Sequence, residues 1–155
     1  MKHQITCKIN DEVTRMEVES HRTLLDALRE DLGLVGAKHA CVSGECGSCN
    51  ILFDGEVVSA CMILAVEADG AEIITVEGLA ESERLHALQK AFLDHNALQC
   101  GFCSSGMLVS SYALLQSVSR PNEQEIRAAL EGNLCRCTGY ADIIKAVQVA
   151  SRARR

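Results

Sequence analysis

The sequence predicts an α+β fold in which a strand-rich N-terminal part is followed by a helical C-terminal part. Up to residue 78, apolar and polar residues alternate in several short segments, which is the period of a half-buried strand. From residue 79 onward, apolar residues recur at i, i+3 and i+4, which is the period of an amphipathic helix. The 155 residues are 48% apolar, enough for packed cores, so we expect two small domains over residues 1–78 and 79–155.

The N-terminal part begins with two alternating segments, HQITCKIN and VTRMEVES, and their separation by Asp11-Glu12 predicts a β-hairpin. The segment TLLDALREDLG predicts a helix that Thr23 caps and Gly33 ends. NILFDGEVVSA predicts a second hairpin about Asp54-Gly55, and AEIITVEG predicts a final strand. Strands wrapped around one helix favour a β-grasp, ferredoxin-like domain.

The C-terminal part contains four amphipathic segments, which predict a four-helix bundle. The only proline, Pro121, lies between two of them, and Asn122 with Glu125 resembles a capping box. The four segments are SERLHALQKAFLDHN, SGMLVSSYALLQSV, NEQEIRAALEG and YADIIKAVQVASRA.

Charge and hydropathy exclude several classes of function. The formal net charge is −6 at pH 7 and aromatic residues make up 3%, which is the wrong sign and too little stacking surface for a nucleic-acid binder. No apolar run approaches the ~18 residues of a membrane span, and MKHQITCKIN lacks the apolar region of a signal peptide. We therefore expect a cytoplasmic protein with no membrane span and no nucleic-acid partner.

Nine cysteines in a reducing compartment favour metal ligation over disulfides. Cys41, Cys46 and Cys49 give C-x4-C-x2-C, and Cys61 follows. This is the plant-type ferredoxin spacing, in which four thiolates hold one [2Fe-2S] cluster. Zinc ribbons usually present two C-x2-C knuckles instead, so the spacing predicts an iron–sulfur site. Cys7, within an alternating strand, is interpreted as a small core or surface thiol.

A second group of cysteines is ambiguous from spacing alone. It comprises Cys100, Cys103, Cys135 and Cys137. A C-x2-C pair is typical of a redox dithiol, but the segment before it has helical period and the CRC pair is then unexplained. A zinc site of four thiolates is stoichiometrically possible. We favour a second iron–sulfur cluster, and the other two interpretations stay open at this point.

The cysteine motifs and their order carry a resemblance to a known family. With CVSGECGSC followed by Cys61, then QCGFC and GNLCRCTGY, the chain resembles the small iron–sulfur subunit of the molybdenum hydroxylases, the family of xanthine dehydrogenase and carbon monoxide dehydrogenase. The resemblance covers essentially the whole chain. It implies two [2Fe-2S] clusters that relay electrons from the molybdopterin of a large subunit to the FAD of a medium subunit or to another acceptor.

The same resemblance implies a hetero-oligomer, with no substrate chemistry on this chain, and a hydrogen bond from Gln99 to the pterin. Two positions depart from the family pattern. Ser104 and Ser105 stand where Thr-Pro is common, and we expect a serine hydroxyl to cap the following helix and the cluster to be kept. Val42 stands where many relatives have Gly or Asp, which affects the local loop geometry and no ligand.

Two other functions stay open at the level of the sequence. One is a free-standing two-cluster ferredoxin that serves a separate reductase, and the other is a zinc-stapled interaction module. Co-purification with large molybdenum and flavin chains favours the subunit, whereas a stable lone monomer with both clusters favours the ferredoxin. A colourless protein with zinc and no acid-labile sulfide favours the interaction module.

Overall fold

The computed structural model describes residues 1–80 and 84–153 and has a mixed α/β architecture. It contains a five-stranded sheet and five α-helices, four of which follow the sheet in the chain. The α+β class predicted from the sequence is confirmed in this broad form. Residues 82–83, the start of the first predicted C-terminal helix, lie outside the described residues. None of the helices in residues 1–80 and 84–153 combines the length and the apolar character that a membrane span requires.

The first two strands, β1 (Lys2–Ile9) and β2 (Glu12–Glu19), form an antiparallel hairpin. The turn consists of Asn10 and Asp11, which both have left-handed φ angles of 49° and 69°. Asparagine and aspartate tolerate this conformation, and two left-handed residues match the twist of a tight hairpin. The predicted turn at Asp11-Glu12 was therefore wrong by one residue, because Glu12 already belongs to β2.

The second hairpin, β3 (Asn50–Phe53) and β4 (Glu56–Ser59), turns at Asp54-Gly55 as predicted. β5 (Glu72–Ile74) lies between β1 and β3, so the order of strands is β2-β1-β5-β3-β4. β5 pairs parallel with β1 and antiparallel with β3. The sheet therefore joins the two hairpins into one layer.

β5 is much shorter than the strand predicted from AEIITVEG. The backbone N–H of Thr75 donates to the side-chain oxygen of Asn10 at 2.9 Å, and the Asn10 amide donates back to the Thr75 hydroxyl at 3.0 Å. The Asn10 side chain thus takes the place of the backbone group with which Thr75 would pair if β5 continued. The chain then continues as a 3₁₀ turn over Val76–Leu79.

The first helix, α1 (Leu24–Asp26), continues as a π-helical turn over Ala27–Asp31. The predicted cap is confirmed, since the Thr23 hydroxyl accepts from the Asp26 N–H at 3.1 Å. Gly33 follows with a φ of 68°, as expected of a residue that ends a helix. The leucines at 24, 25 and 28 are fully buried and pack in the core formed with the sheet.

The C-terminal helices are α2 (Ala87–Asp94), α3 (Ser104–Ser117), α4 (Glu123–Ala129) and α5 (Ala141–Ala153). α4 begins at the predicted capping box, in which Asn122 and Glu125 exchange side-chain to backbone hydrogen bonds of 3.0 and 2.7 Å. α3 is buried on several sides, because it contacts β3 and β4 as well as α2 and α4.

Two apolar cores result, and the boundary between them does not follow the sheet. One core lies between the sheet and α1, and the other lies among the C-terminal helices. Leu52 belongs to β3 by its backbone, but its buried side chain packs in the helical core. Since neighbouring residues of a strand point to opposite faces, Ile51 packs in the first core instead. The sheet thus has apolar packing on both faces at β3.

Candidate metal centres

The first site comprises Cys41, Cys46, Cys49 and Cys61. Cys49 immediately precedes β3 and Cys61 lies in the 3₁₀ turn just after β4. Because β3 and β4 pair in antiparallel register, the two cysteines meet at one end of this hairpin, where the Ala60 N–H donates to the Cys49 carbonyl at 3.3 Å. Cys49 and Cys61 are buried, whereas Cys41 is exposed. The hairpin therefore anchors one half of the site in the core.

The loop that carries Cys41 and Cys46 is built from left-handed turns. Val42, Gly44 and Gly47 have φ angles of 56°, 78° and 68°. Glycine adopts this conformation without strain, whereas a β-branched residue does so only at a cost of roughly 1–2 kcal/mol. The structure thus gives a physical meaning to the departure at Val42: the loop keeps its left-handed bend although the residue there is poorly suited to it.

The second site comprises Cys100, Cys103, Cys135 and Cys137. Its cysteines come from two separate loops, one between α2 and α3 and the other between α4 and α5. The Sγ atoms of Cys100 and Cys137 lie 3.6 Å apart across these loops. The thiols of Cys103 and Cys135 also lie close enough to interact. Each close pair therefore takes one thiol from each loop.

The same two-plus-two arrangement occurs at the first site. Cys41 and Cys46 lie close enough to interact, and so do Cys49 and Cys61. Between the pairs, Cys46 and Cys49 interact by charge, and the Cys137 backbone hydrogen-bonds the Cys135 sulfur. Both sites thus consist of two pairs of thiols.

Two pairs of thiols fit a two-iron cluster better than a single zinc ion. With Zn–S bonds of about 2.3 Å, a tetrahedral zinc site places every sulfur ~3.8 Å from the other three. In the described part of the chain, no three His, Cys, Asp or Glu side chains are gathered closely enough to hold one ion. A [2Fe-2S] rhomb has two metal atoms to share among four thiolates, so its ligands need not form one compact group.

Hydrogen bonds reach one sulfur of each site from a hydroxyl-bearing residue. At the second site, the Thr138 hydroxyl lies 3.1 Å from the Cys135 Sγ, and the Thr138 N–H lies 3.5 Å from it. Burial alone would raise the pKa of Cys135, but these hydrogen bonds outweigh burial and lower it. At the first site, hydrogen bonds from Ser43 lower the pKa of Cys41 to about 6.

Burial acts in the opposite direction on the inner cysteines. It raises the pKa of Cys49 to about 11 and that of Cys103 to about 12, in both cases against the ordinary value of a thiol. In the metal-free chain these two groups are therefore neutral thiols at pH 7. A bound metal takes thiolates, so loading either site releases protons.

The loops of the two sites are hydrogen-bonded to each other. The Leu134 N–H donates to the Cys46 carbonyl at 2.9 Å, and the Asn133 side-chain amide donates to the Gly47 carbonyl at 3.2 Å. Leu134 directly precedes Cys135 in the sequence. One hydrogen bond therefore connects the backbone of a cysteine in the first site with the residue next to a cysteine in the second.

The remaining residues singled out from the sequence lie as follows. Gln99 is exposed beside Cys100, and Cys7 is buried in β1 in the core between the sheet and α1.

The predicted serine cap of α3 was wrong: Cys103 occupies the cap position without a side-chain hydrogen bond. The Ser105 hydroxyl instead lies 3.5 Å from the Ser48 carbonyl, because α3 packs directly against the loop of the first site.

Four residues of the sites were not singled out from the sequence: Ser43, Asn133, Thr138 and Tyr140. Ser43 lies two residues after Cys41, and the other three lie in GNLCRCTGY, within three residues of Cys135 or Cys137. A hydroxyl residue close after a cysteine was a usable signal for Ser43 and Thr138. The contacts of Asn133 and Tyr140 depend on tertiary packing, which no local pattern reveals.

Comparison with known proteins gives two matching families. The [2Fe-2S] binding domain family matches residues 75–148, and the 2Fe-2S iron-sulfur cluster binding domain family matches residues 7–80. The chain is 45% identical to the nicotinate dehydrogenase small FeS subunit of Eubacterium barkeri, over 96% of this chain and 95% of that protein. It is 46% identical to the nicotine 6-hydroxylase small subunit of Paenarthrobacter nicotinovorans, over 93% and 87%.

Solved structures give the same picture. Crystal structures similar to this chain include quinoline 2-oxidoreductase from Pseudomonas putida, with a TM-score of 0.95 and 46% identity over 98% of this chain and 95% of that one. The aldehyde oxidoreductase from Desulfovibrio desulfuricans has a TM-score of 0.92 and 38% identity. There the match covers 96% of this chain and 17% of the other, so the similarity is to one part of a much longer polypeptide.

Proposed function

This chain belongs to the family of small iron–sulfur subunits of the molybdenum hydroxylases, and on that premise we propose that it is the electron-transfer subunit of such an enzyme. The relatives compared above are named for the oxidation of nicotinate, nicotine and quinoline. None of their substrates has to reach this chain, whose chemistry resides in its two cysteine sites. The choice of substrate then belongs to a partner subunit.

Each site holds one [2Fe-2S] cluster in this proposal. The first uses Cys41, Cys46, Cys49 and Cys61, and the second uses Cys100, Cys103, Cys135 and Cys137. When bound, the clusters supply one-electron oxidation and reduction. The chain supplies the four thiolates of each site, hydrogen bonds to their sulfurs from Ser43 and Thr138, and the burial of the inner cysteines.

The observation that carries the proposal is the hydrogen bond from the Leu134 N–H to the Cys46 carbonyl. A relay needs its two centres close together and at a fixed distance. This 2.9 Å contact joins the two cysteine loops directly, without an intervening helix or solvent gap. A protein with two unrelated structural metal sites has no need of such a contact.

The finer architecture follows from the same premise. We infer that residues 1–78 form a β-grasp, ferredoxin-like domain and residues 79–155 a four-helix-bundle domain. The mixed sheet with α1 packed in its core supports the first assignment, and the mutual packing of α2 to α5 supports the second.

The free state of all nine cysteines in the described residues suits the reducing cytoplasm, which we propose as the location.

Exposed apolar side chains beside the sites support docking to partner subunits. Phe102, next to Cys103, is 43% exposed and Leu134, next to Cys135, is 57% exposed. We propose that the large molybdopterin-binding subunit covers this surface, where the exposed Gln99 is free to hydrogen-bond the pterin. Val42 and Met62, exposed beside the first site, then face the medium FAD-binding subunit.

The test is anaerobic purification of the tagged chain from cells that express its neighbouring genes. We expect large and medium chains to co-purify, with about four irons and about four sulfides per small chain and two reduced-state EPR signals. A lone monomer that carries both clusters would support the free-standing ferredoxin instead. Zinc without inorganic sulfide would contradict both electron-transfer proposals.

A further inference from the structure

Asn133 lies between the two cysteine loops and is 2% exposed. Its side-chain amide donates to the carbonyl of Gly47, which stands between Cys46 and Cys49 in the first site. The Gly47 carbonyl also accepts from the Asn50 N–H at 3.1 Å, so both of its lone pairs are engaged. A buried amide with this geometry fixes the position of the loop that it contacts.

Tyr140 continues the same chain of contacts into the second site. Its hydroxyl donates to the Asn133 carbonyl at 3.0 Å and accepts from the Cys135 N–H at 2.9 Å. Tyr140 is itself held by α5, because its carbonyl accepts from the Ile144 N–H at 2.9 Å. The contacts therefore run without a break from Gly47 through Asn133 and Tyr140 to Cys135.

The space around this chain of contacts is tight. A Cβ atom on Gly47 would lie 2.5 Å from the Asn133 amide nitrogen, and a Cβ atom on Gly106 of α3 would lie 1.9 Å from the Gly47 carbonyl oxygen. Only glycine fits at either position without a shift of the backbone. The two loops thus have little freedom to slide relative to each other.

We propose that Asn133 and Tyr140 are positioning residues that set the separation of the two cysteine sites. The proposal rests on the proposed function, since it presumes a cluster at each site. The Leu134 to Cys46 hydrogen bond joins the loops at one point only, about which they could still rotate. The Asn133 side chain adds a second point on the Gly47 carbonyl, which removes that rotation. The Tyr140 hydroxyl bonds the backbone of Asn133 and of Cys135, and so fixes the segment from which the Asn133 side chain extends.

The experiment compares Asn133→Ala with the unaltered full chain, each carrying both clusters and fully reduced with dithionite. The readout is the magnetic interaction between the two reduced clusters, measured by EPR as signal splitting and relaxation enhancement. We expect Asn133→Ala to keep both signals but to change the splitting. The control is Ser110→Ala, which removes the hydrogen bond from Asn50 between β3 and α3 and should leave the splitting unchanged.

Tyr140→Phe keeps the proposal testable if Asn133→Ala fails to fold. It removes a single hydroxyl from the Cys135 end, and we again expect both signals and an altered splitting. Unchanged splitting in Tyr140→Phe overturns the proposal. So does loss of the second signal, because the hydroxyl would then serve cluster assembly and not spacing. A failure of the proposed function is distinct from both, since it leaves the unaltered chain without two signals.

Discussion

The two cysteine sites differ in how far apart their cysteines lie in the sequence. The first takes three of its cysteines from residues 41–49 and the fourth from the residues that directly follow the adjoining hairpin. The second takes two pairs from loops that are separated by α3 and α4. One site is therefore shaped mainly by local backbone conformation, whereas the other exists only once the helices have packed. The first should tolerate damage to the second better than the reverse.

The largest expected effect comes from removing a cysteine of the helical part. Cys100→Ser takes away half of the 3.6 Å pair with Cys137, so we expect the second cluster to be lost and the first to remain. Iron analysis should fall from about four to about two atoms per chain, with one EPR signal left. Cys7→Ser is the control, because Cys7 lies outside both sites and should leave both signals. Loss of both signals in Cys100→Ser would show that the sites do not assemble separately.

A smaller effect is expected where the helical part supports the loop of the first site. Gly106→Ala places a methyl group against the Gly47 carbonyl, and overpacking of this kind costs about 1–3 kcal/mol. We expect a lower thermal midpoint of unfolding and an altered line shape of the first EPR signal. Ser117→Ala, on the exposed end of the same helix, should change stability by less than about 0.5 kcal/mol. An unchanged midpoint in Gly106→Ala would contradict the close packing of α3 against this loop.

A substitution at Thr138 tests how hydrogen bonding to sulfur affects the redox potential of one site relative to the other. Thr138→Val removes a hydroxyl that hydrogen-bonds the Cys135 sulfur. Such a bond strengthens when negative charge is added, so its loss should lower the midpoint potential of the second cluster by an amount on the order of tens of millivolts. Potentiometric EPR titration measures both potentials in one sample, and the first cluster is the internal control. A shift of both potentials by the same amount would point to a general structural change.

The smallest expected effect tests the local strain of the first loop. Val42→Gly relieves a left-handed valine at roughly 1–2 kcal/mol but adds chain entropy to the unfolded state at ~0.4–1 kcal/mol. We therefore expect a net gain of about 0.5 kcal/mol in the free energy of unfolding, measured by denaturant titration. Val35→Gly, at an exposed position without a left-handed φ, should lower that free energy instead. A loss of stability in Val42→Gly would mean that the valine is not strained.

The features predicted from the sequence were those that neighbouring residues determine, in both parts of the chain. The Thr23 cap, the Asp54-Gly55 turn and the Asn122 capping box were all predicted, because each depends on a few neighbouring residues. The end of β5 could not be predicted, since it is set by the side chain of Asn10 from another strand. The predicted serine cap of α3 was wrong for a similar reason, because Ser105 interacts with Ser48 in the loop of the first site.

The candidate sites follow the same rule. Cysteine spacing alone predicted an iron–sulfur site for the first group, whereas the spacing of the second group left three interpretations open. The close approach of Cys100 and Cys137 from two separate loops supports one shared site for the second group. Asn133 and Tyr140 carry no signal in the sequence, because their contacts depend on the loop of the first site or on the turn before α5.

The position of Leu52 has a practical consequence, because this residue connects the sheet with the core of the C-terminal helices. Its backbone belongs to the sheet while its side chain fills the core of the helices, so a chain shortened after residue 80 would expose an apolar face to water. An engineer who wished to graft this redox unit onto another oxidoreductase would have to transplant the entire polypeptide. Half of the polypeptide would be prone to aggregation and would transfer electrons poorly.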